Sequence, residues 1–346
     1  MSLALATAPA AARSALPPAT PVARIDAPFP VQRGSCPVQI DLRHSGSQLL
    51  VLRWQIIGAA DRPLSIVLGG ISADRQLTGN AIDPRPGWWP AQVHAGGALD
   101  PWQRRLLAID WIGADGSLDC PIDPDDQAQA IVALLDHLRI DRVEACIGAS
   151  YGAMVGLHLA RRLPRRLGQL VAISGAHRAH PFASAWRSLQ RQVLRLGQRL
   201  DVGAEAVGIA RALAVLSYRS AEEFGQRFDQ PVQIEDGIAR CAAESYLAAH
   251  GQRFAERFST TAYTRLSESI DLHAIDPATV RVPVTVVAAC SDQLVPLADC
   301  RSLAERLPNL RLLHQIDSRY GHDAFLKEDA IIHDILCTAL GSGGAA

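Results

Sequence analysis

The segment that most constrains how this chain can fold is a five-residue turn at residues 148–152. It reads Gly-Ala-Ser-Tyr-Gly, with Ser150 at its centre. Residues 143–147 form a mostly apolar run typical of a buried strand. Residues 151–163 have the apolar spacing of an amphipathic helix. A strand-to-helix turn flanked by glycines is so tight that its central serine stands out above the sheet. The pattern predicts that Ser150 is a nucleophile, activated by a neighbouring base.

Strand and helix patterns alternate on both sides of this turn. Further short strands are predicted at residues 65–68, 105–110, 169–173, 284–289 and 310–316. Further helices are predicted at residues 123–138, 296–307 and 324–340. Residues 38–42 and 49–57 have the pattern of an antiparallel edge hairpin. Alternation of this kind is typical of a mostly parallel sheet with helices on both faces.

Residues 180–274 break the alternation, and we call them the cap segment. Helical periodicity runs through them, and no convincing buried strand interrupts it. We expect an all-helical insertion here that covers the active-site face of the core. The core is then predicted to comprise residues 28–179 and 275–340. The Ala- and Pro-rich residues 1–27 are expected to be a disordered leader, and residues 341–346 a flexible tail.

Two loops after later strands supply partners for Ser150. Asp292 follows an apolar, strand-like run, and His322 lies in the loop between the last strand and the last helix. Serine, acid and histidine then occur in the chain order of the α/β-hydrolase fold, which is the fold class that we predict. Asp299 and Asp317 are weaker candidates for the acid, because the first is expected inside a helix and the second in the histidine loop.

The negative charge that develops on a substrate carbonyl needs backbone N–H groups to stabilise it. One such group is expected from Tyr151, the residue after the nucleophile. The other is expected from the loop after the early strand, with Gly70 as first choice and Ile71 as second.

Four pieces of sequence are more specific than the serine turn. They are Ser-Asp-Gln-Leu-Val-Pro at 291–296, Gly-His-Asp-Ala-Phe-Leu at 321–326, Leu-Ser-Tyr-Arg-Ser at 216–220 with Glu-Phe at 223–224, and Glu-Ser-Tyr-Leu at 244–247 with Arg-Phe at 257–258. With these pieces, residues 28–340 resemble the homoserine O-acyltransferases of methionine biosynthesis. Generic hydrolases do not share the last two pieces.

The resemblance implies a function for the predicted site. The family uses a triad that matches Ser150, Asp292 and His322, and it holds homoserine with residues that match Arg211 and Asp323. It also implies acyl-CoA as co-substrate with no further cofactor, and a homodimer that forms through cap helices. Homoserine is a zwitterion and suits Arg211 and Asp323, because its carboxylate favours an arginine and its ammonium favours a carboxylate.

Two departures from the family pattern leave the substrates open. The family's turn usually has glycine where this chain has Ala149 and Ala153. Its oxyanion segment often reads His-Ala-Leu-Thr-Gly, where residues 68–72 read Leu-Gly-Gly-Ile-Ser. Because the chain is most similar to the succinyl-transferring branch, we expect succinyl transfer to homoserine. An acetyl donor, a serine acceptor, or an ester or thioester hydrolase with the same triad are the alternatives.

A succinyl group ends in a carboxylate, which needs a cation when it is buried. Arg75 lies five residues after Gly70 and is predicted to bind this carboxylate through two hydrogen bonds. The competing interpretation is that Arg75 pairs at the surface with Asp74 or with a residue of the cap segment. In the same way, Arg211 could be a helix-surface charge, and Asp323 could cap the final helix.

Composition and charge exclude other classes of function. The net charge is −1 without a basic cluster, so nothing indicates nucleic acid as a partner. No apolar run is long enough to span a membrane, so a membrane is not expected as a partner. The seven cysteines lack C-x-x-C spacing, which indicates free thiols and a cytoplasmic protein. His177 and His180 have H-x-x-H spacing without an apparent third ligand, so no metal site is predicted.

Overall fold

An eight-stranded sheet forms the centre of the computed structural model, which describes residues 29–341. In spatial order its strands are β1 (Val31–Leu42), β2 (Gly46–Ile57), β4 (Arg105–Ile109), β3 (Leu64–Leu68), β5 (Ala145–Ala149), β6 (Leu170–Ile173), β9 (Val284–Ala289) and β10 (Leu310–Ile316). Neighbours from β4 to β10 pair in parallel. The β1–β2 hairpin and the β2–β4 pair are antiparallel. The sheet is therefore as predicted, although both hairpin strands begin earlier than expected.

The two ends of the chain, residues 1–28 and 342–346, fall outside the described range. The leader predicted for residues 1–27 thus lies outside the described residues, as does the predicted tail apart from its first residue. Among the described residues, no helix has the length and the apolar character that crossing a bilayer requires.

Helices cover both faces of the sheet. Those of the core are α1 (Pro124–His137), α2 (Tyr151–Arg162), α8 (Leu297–Arg306) and α9 (Asp329–Leu340). Side chains of β5 alternate between two buried clusters: Cys146 belongs to the same cluster as Val155 of α2. Ile147 belongs to the other cluster, with Leu336 of α9. Burial on both faces explains why the central strands have continuous apolar sequences.

The cap segment lies between β6 and β9. It contains α3 (Pro181–Arg199), α4 (Gly203–Tyr218), α5 (Ala221–Arg227), α6 (Ala243–Ala255) and α7 (Thr260–Asp271). Contrary to prediction it is not all-helical, because β7 (Gln233–Glu235) and β8 (Ile238–Arg240) form an antiparallel hairpin. Asp236 and Gly237 between these strands have φ angles of 52° and 76°. An Asp-Gly pair in this left-handed region is a strong hairpin signal, and here it outweighs the helical periodicity.

The chain after β10 also departs from prediction. In place of one helix over residues 324–340, Gly321–Leu326 forms a 3-10 helix and α9 begins only at Asp329. The N-cap position of α9 belongs to Glu328, so Asp323 does not cap the final helix. The tighter helix instead carries His322 at the carboxyl end of the sheet.

All seven cysteines lie in the described part of the chain and are free thiols. Cys146 is buried in β5, as expected for an apolar strand. Cys290 is exposed, because β9 ends one residue before it.

Candidate active site

Ser150 occupies the turn between β5 and α2 with a strained backbone. Its φ angle is 56°, in the left-handed region that non-glycine residues rarely adopt. A Cβ atom at Gly148 would lie 2.2 Å from the carbonyl oxygen of Gly152, and one at Gly152 would lie 2.2 Å from that of Leu68. Both flanking positions therefore require glycine, and the strained turn presents the Ser150 hydroxyl above the sheet.

Ser150, His322 and Asp292 lie in contact at the carboxyl ends of three strands. Ser150 Oγ is 2.7 Å from His322 Nε2, and His322 Nδ1 is 2.7 Å from Asp292 Oδ2. Asp292 Oδ1 accepts the backbone N–H groups of Leu294 at 2.8 Å and Val295 at 2.9 Å. Because an ionised carboxylate can only accept, Nδ1 carries a proton and Nε2 is free to accept one from Ser150. A nucleophile, a base and an orienting acid have this arrangement.

The competing acids do not reach the histidine. Asp299 lies on the wall of the same cavity, in the first turn of α8. Among the described residues, however, no hydrogen bond or ion pair joins Asp299 or Asp317 to His322.

His322 is buried, and its pKa reflects opposing effects. Burial by itself lowers the pKa of the imidazole, but the charge of Asp292 and its hydrogen bond raise it, and Asp323 adds to the rise. The positive charge of Arg187 acts in the opposite direction. The net result is a pKa of His322 above its ordinary value of about 6.5. His322 is therefore neutral, and able to act as a base, only above this raised pKa.

Three backbone N–H groups beside the nucleophile, those of Gly70, Ile71 and Tyr151, have no acceptor within residues 29–341. All three residues border the cavity. The Gly152 N–H donates to the Gly69 carbonyl at 2.9 Å, which fixes the loop after β3 to the turn of the nucleophile. Free N–H groups in this position can stabilise a negatively charged oxygen.

The cavity over Ser150 is lined from both the core and the cap segment. Arg211 of α4, which the sequence assigns to substrate binding, lies on its wall. The guanidinium is 5.2 Å from the ring centre of Tyr218 and 4.7 Å from that of Phe254. In the described part of the chain no carboxylate pairs with Arg211, so its charge is available to an anionic ligand.

Asp323, the second residue assigned to substrate binding, also lies on this wall, next to His322. Arg219 Nε is 2.8 Å from Asp323 Oδ2, in an ion pair that is too poorly aligned for a hydrogen bond. Arg219 is shared with Glu223, at 3.2 Å. Asp323 Oδ1 makes no hydrogen bond within the described range, so it can accept one from a ligand.

Arg75 does not lie on the cavity wall, contrary to prediction. Its backbone N–H and its Nη1 donate to the carboxylate of Asp110, at 3.0 Å and 2.6 Å. Asp110 follows β4, the strand adjacent to β3, and its carboxylate holds the guanidinium of Arg75 there. The alternative pairing with Asp74 is not observed either. Arg75 is therefore not placed to bind an acyl carboxylate.

Arg187 of α3 is a cavity cation that our sequence analysis missed. Its side chain is only 11% exposed, and it pairs with Asp271 of α7 at 2.7 Å. Arg191 pairs with the same carboxylate at 2.7 Å. Two guanidinium groups thus share one carboxylate, which leaves one positive charge to be neutralised. Burial lowers the pKa of Arg187, and Asp271 only partly opposes this effect.

A signal for Arg187 does exist in the sequence. The buried positions of α3 are Ala183, Gln190, Leu194 and Gly197. Arg187 lies four residues after Ala183 and three before Gln190, so it belongs to the inward-facing stripe of the helix. A charged residue in such a stripe indicates an interior partner or ligand.

No cluster of three or more His, Cys, Asp or Glu side chains within residues 29–341 is placed to hold a metal ion. His180 of the H-x-x-H pair instead lies at the N-cap of α3, where its Nδ1 accepts the Phe182 N–H at 3.3 Å.

The fold and the arrangement of Ser150, His322 and Asp292 together define a class of proteins. The sequence pattern of the α/β-hydrolase fold family matches residues 85–329. The crystal structure of a homoserine O-acetyltransferase from Staphylococcus aureus is similar, with a TM-score of 0.78 and 23% identity over 92% of this chain and 97% of that chain. The chain belongs to the α/β-hydrolase fold family.

Sequence relatives define a narrower group. The chain is 53% identical to a homoserine O-succinyltransferase from Xanthomonas campestris pv. campestris, over 94% of this chain and 88% of the relative. It is 31% identical to a serine O-succinyltransferase from Litchfieldella anticariensis, over 79% of this chain and 86% of the relative. Within the α/β-hydrolase fold, the chain is a member of the homoserine O-acyltransferase family, as its sequence motifs indicate.

Proposed function

We propose that this enzyme transfers a succinyl group from succinyl-CoA to the hydroxyl of L-homoserine, a step of methionine biosynthesis in the cytoplasm. One observation carries the proposal: Ser150, His322 and Asp292 are in contact beside a cavity whose wall presents Arg211 and Asp323. The homoserine O-succinyltransferase that is 53% identical to this chain supports both substrates.

The first half of the reaction acylates the enzyme. Ser150 Oγ attacks the thioester carbonyl carbon while His322 Nε2 takes the hydroxyl proton. The N–H group of Tyr151, together with those of Gly70 and Ile71, stabilises the oxyanion of the tetrahedral intermediate. The carbon–sulfur bond then breaks, and the imidazolium of His322 protonates the departing thiolate of CoA.

The second half transfers the acyl group. The homoserine hydroxyl enters the same site, loses its proton to His322 and attacks the ester carbonyl of acylated Ser150. Ser150 leaves with the proton returned by His322, which restores the free enzyme. Because CoA departs before homoserine reacts, the scheme is ping-pong and predicts parallel double-reciprocal lines. The cap segment supports transfer over hydrolysis, because it covers the site and limits the entry of water.

Arg211 and Asp323 suit the two charges of the acceptor. The unpaired guanidinium of Arg211 can hold the homoserine carboxylate, and the free oxygen of Asp323 can accept a hydrogen bond from its ammonium. The position of Asp323, directly after His322, would bring the acceptor hydroxyl near the base.

Replacing Arg211 with alanine should therefore raise the KM for homoserine by roughly tenfold or more, since a charged hydrogen-bonded pair contributes about 1.5–3 kcal/mol. The KM for the acyl-CoA should change little, and steady-state kinetics with each substrate varied will measure both. Arg253→Ala, at an exposed arginine of α6, is the control and should leave both constants unchanged. Equal increases in the two KM values after Arg211→Ala would contradict the assignment.

Arg187 replaces Arg75 as the candidate partner of the succinyl carboxylate. It lies on the cavity wall, and its Nη1 makes no hydrogen bond within the described residues. The charge left over from the shared Asp271 would be neutralised by the distal carboxylate of a succinyl group. An acetyl group has no carboxylate that could pair with the guanidinium, so the presence of Arg187 favours succinyl-CoA over acetyl-CoA as the donor.

Arg187→Ala should lower kcat/KM for succinyl-CoA by roughly tenfold or more, and should change that for acetyl-CoA far less. Arg191→Ala is the matched control, because Arg191 pairs with the same Asp271 without lining the cavity. If both variants lose activity with both donors, Arg187 only supports the packing of α3 on α7. A wild-type enzyme that prefers acetyl-CoA would make the donor assignment wrong.

The experiment that tests the proposal as a whole is a product assay. The enzyme is incubated with each of the four pairs of succinyl-CoA or acetyl-CoA and homoserine or serine, and the products are identified by mass spectrometry. We expect O-succinylhomoserine as the main product. O-Acetylhomoserine or an O-acylserine would identify the alternative donor or acceptor. Release of CoA at the same rate with and without an acceptor would indicate a hydrolase.

We also propose that the enzyme is a homodimer that associates through the cap segment. The outward face of α3 and its C-cap carry apolar side chains, spaced by seven or four residues, that are about half exposed or more: Phe182, Leu189 and Leu196 in the helix and Leu200 at the C-cap. A second copy related by a two-fold axis could cover this stripe with its own. A monomeric mass in sedimentation equilibrium at micromolar concentration would count against the dimer.

A further inference from the structure

Trp111 lies behind the oxyanion-hole residues and contacts both sides of the hole. It follows β4, and its side chain is buried. The indole Nε1–H donates to the carbonyl oxygen of Gly70 at 2.9 Å. The indole and the Tyr151 ring pack edge to face, with 4.9 Å between ring centres and an angle of 75° between the rings. One side chain thus contacts Tyr151 and the peptide group that joins Gly70 to Ile71.

The hydrogen bond to Gly70 fixes the direction of a peptide group. The Gly70 carbonyl accepts a second bond, from the Ala73 N–H at 3.0 Å. In a trans peptide the carbonyl and the following N–H point in opposite directions, and the described chain has no cis peptide bond. The N–H of Ile71 therefore points away from Trp111. Since Ile71 borders the cavity and its N–H has no acceptor there, Trp111 holds this donor ready for an oxyanion.

The contact with Tyr151 restrains the other side of the hole. The Tyr151 ring is fully buried, and its hydroxyl is 2.7 Å from Ser269 Oγ of α7. With Trp111 on its ring and Ser269 at its hydroxyl, the side chain has little freedom, and the backbone N–H of Tyr151 is held accordingly.

We infer that Trp111 is a positioning residue of the oxyanion hole, acting through the Gly70 carbonyl and the Tyr151 ring. This role rests on the proposed use of Ser150 as nucleophile. Hydrogen-bond donors stabilise a transition state best when they are oriented before the charge develops, so that no free energy is spent on turning them. Loss of the indole N–H should consequently weaken binding of the tetrahedral species and leave the binding of homoserine unchanged.

Trp111→Phe keeps an aromatic ring and removes the donor. Removal of a direct oxyanion donor lowers kcat by about a hundredfold to a thousandfold, and we expect an indirect loss of roughly tenfold to thirtyfold here. The fall should appear in the acylation rate, measured with the acyl-CoA and with p-nitrophenyl acetate, while the KM for homoserine stays constant. The inhibition constant of a boronic acid, whose adduct with serine places an oxygen in the hole, should rise by a similar factor.

Trp54→Phe is the control, because the indole N–H of Trp54 has no hydrogen-bond partner in the described structure. It should leave the acylation rate and the boronic acid affinity unchanged. If Trp111→Phe does not fold, β-(3-benzothienyl)alanine at position 111, which has the shape of tryptophan without the N–H, repeats the test. Unchanged boronic acid affinity, or equal changes in acylation rate and homoserine KM, would overturn the role of Trp111.

The assay with p-nitrophenyl acetate separates this inference from the proposed function. It needs only a serine nucleophile and an oxyanion hole, so it reports on Trp111 even if the natural donor or acceptor is another molecule. If the wild-type enzyme forms no acyl-Ser150 with either ester, the nucleophile assignment fails, and the positioning role of Trp111 fails with it.

Discussion

Ser150→Ala should reduce the rate of acyl transfer by about ten-thousandfold or more, because every covalent step of the proposed mechanism passes through the Ser150 hydroxyl. The fold should persist. Ser150 Oγ has one hydrogen-bond partner in the described structure, His322 Nε2, and a methyl group fits the space that it occupies. The backbone strain at Ser150 is present in the wild type, so alanine adds little to it.

Two measurements make this test specific. Circular dichroism and thermal unfolding should match the wild type, which shows that the loss is chemical. Mass spectrometry of the wild-type enzyme with succinyl-CoA and no acceptor should find a succinyl group on the peptide that contains Ser150, and the variant should lack it. If the variant retained more than roughly a tenth of the wild-type rate, another group would be the nucleophile.

The triad could be predicted from the sequence because its signals are local. A strand followed by a glycine-flanked serine and a helix specifies Ser150, and Asp292 and His322 each follow a recognisable strand. Parallel strands bring their carboxyl ends to one edge of the sheet, so three loops that are distant in sequence meet there. The topology alone therefore assembles the site.

The cation that we propose for the succinyl carboxylate could not be predicted in this way. Arg75 is close to Gly70 in sequence, but its direction is decided by Asp110, on a loop after another strand. Arg187 lies in the inward stripe of α3, yet its place beside the cavity depends on how α3 packs on α7 through Asp271. Sequence spacing limits which residues share an element, whereas side-chain partners from other elements determine where a charge points.

Two local details were predictable and were weighted wrongly. Asp236 and Gly237 signal a hairpin turn, but the helical periodicity around them dominated the prediction for the cap segment. Near the end of the chain, apolar periodicity suggested one helix over 324–340, although His322 occupies a 3-10 helix that ends before α9. Gly321, with a φ angle of 59°, marks that tight turn.

Asp292→Asn should lower kcat by about ten-thousandfold, and the structure gives the reason. Asp292 Oδ1 accepts two backbone N–H groups, from Leu294 and Val295, so the single oxygen of an asparagine would keep that position. The amide nitrogen would then face Nδ1 of His322 and donate a hydrogen bond to it. Nε2 would carry the proton instead, and it could no longer accept the proton of Ser150.

The pH dependence should change in a defined direction. In the wild type, Asp292 raises the pKa of His322 against the opposing effect of burial, so kcat/KM should fall as the pH drops through that raised pKa. Asparagine removes the negative charge, which lets burial dominate and lowers the pKa of His322. The acidic limb of the residual activity should move to lower pH, as a pH–rate profile of the variant would show.

Asp299→Asn is the matched control for Asp292→Asn, because Asp299 lies on the same cavity wall without contacting His322. It removes an equal charge seven residues away, so a general electrostatic effect on the cavity would appear in both variants. A change in the tautomer of His322 should instead cause a large loss of activity in Asp292→Asn alone, together with the shifted acidic limb. If Asp299→Asn were the crippled variant and Asp292→Asn nearly normal, the orienting acid would be Asp299. In that case His322 would have to turn toward α8 during catalysis.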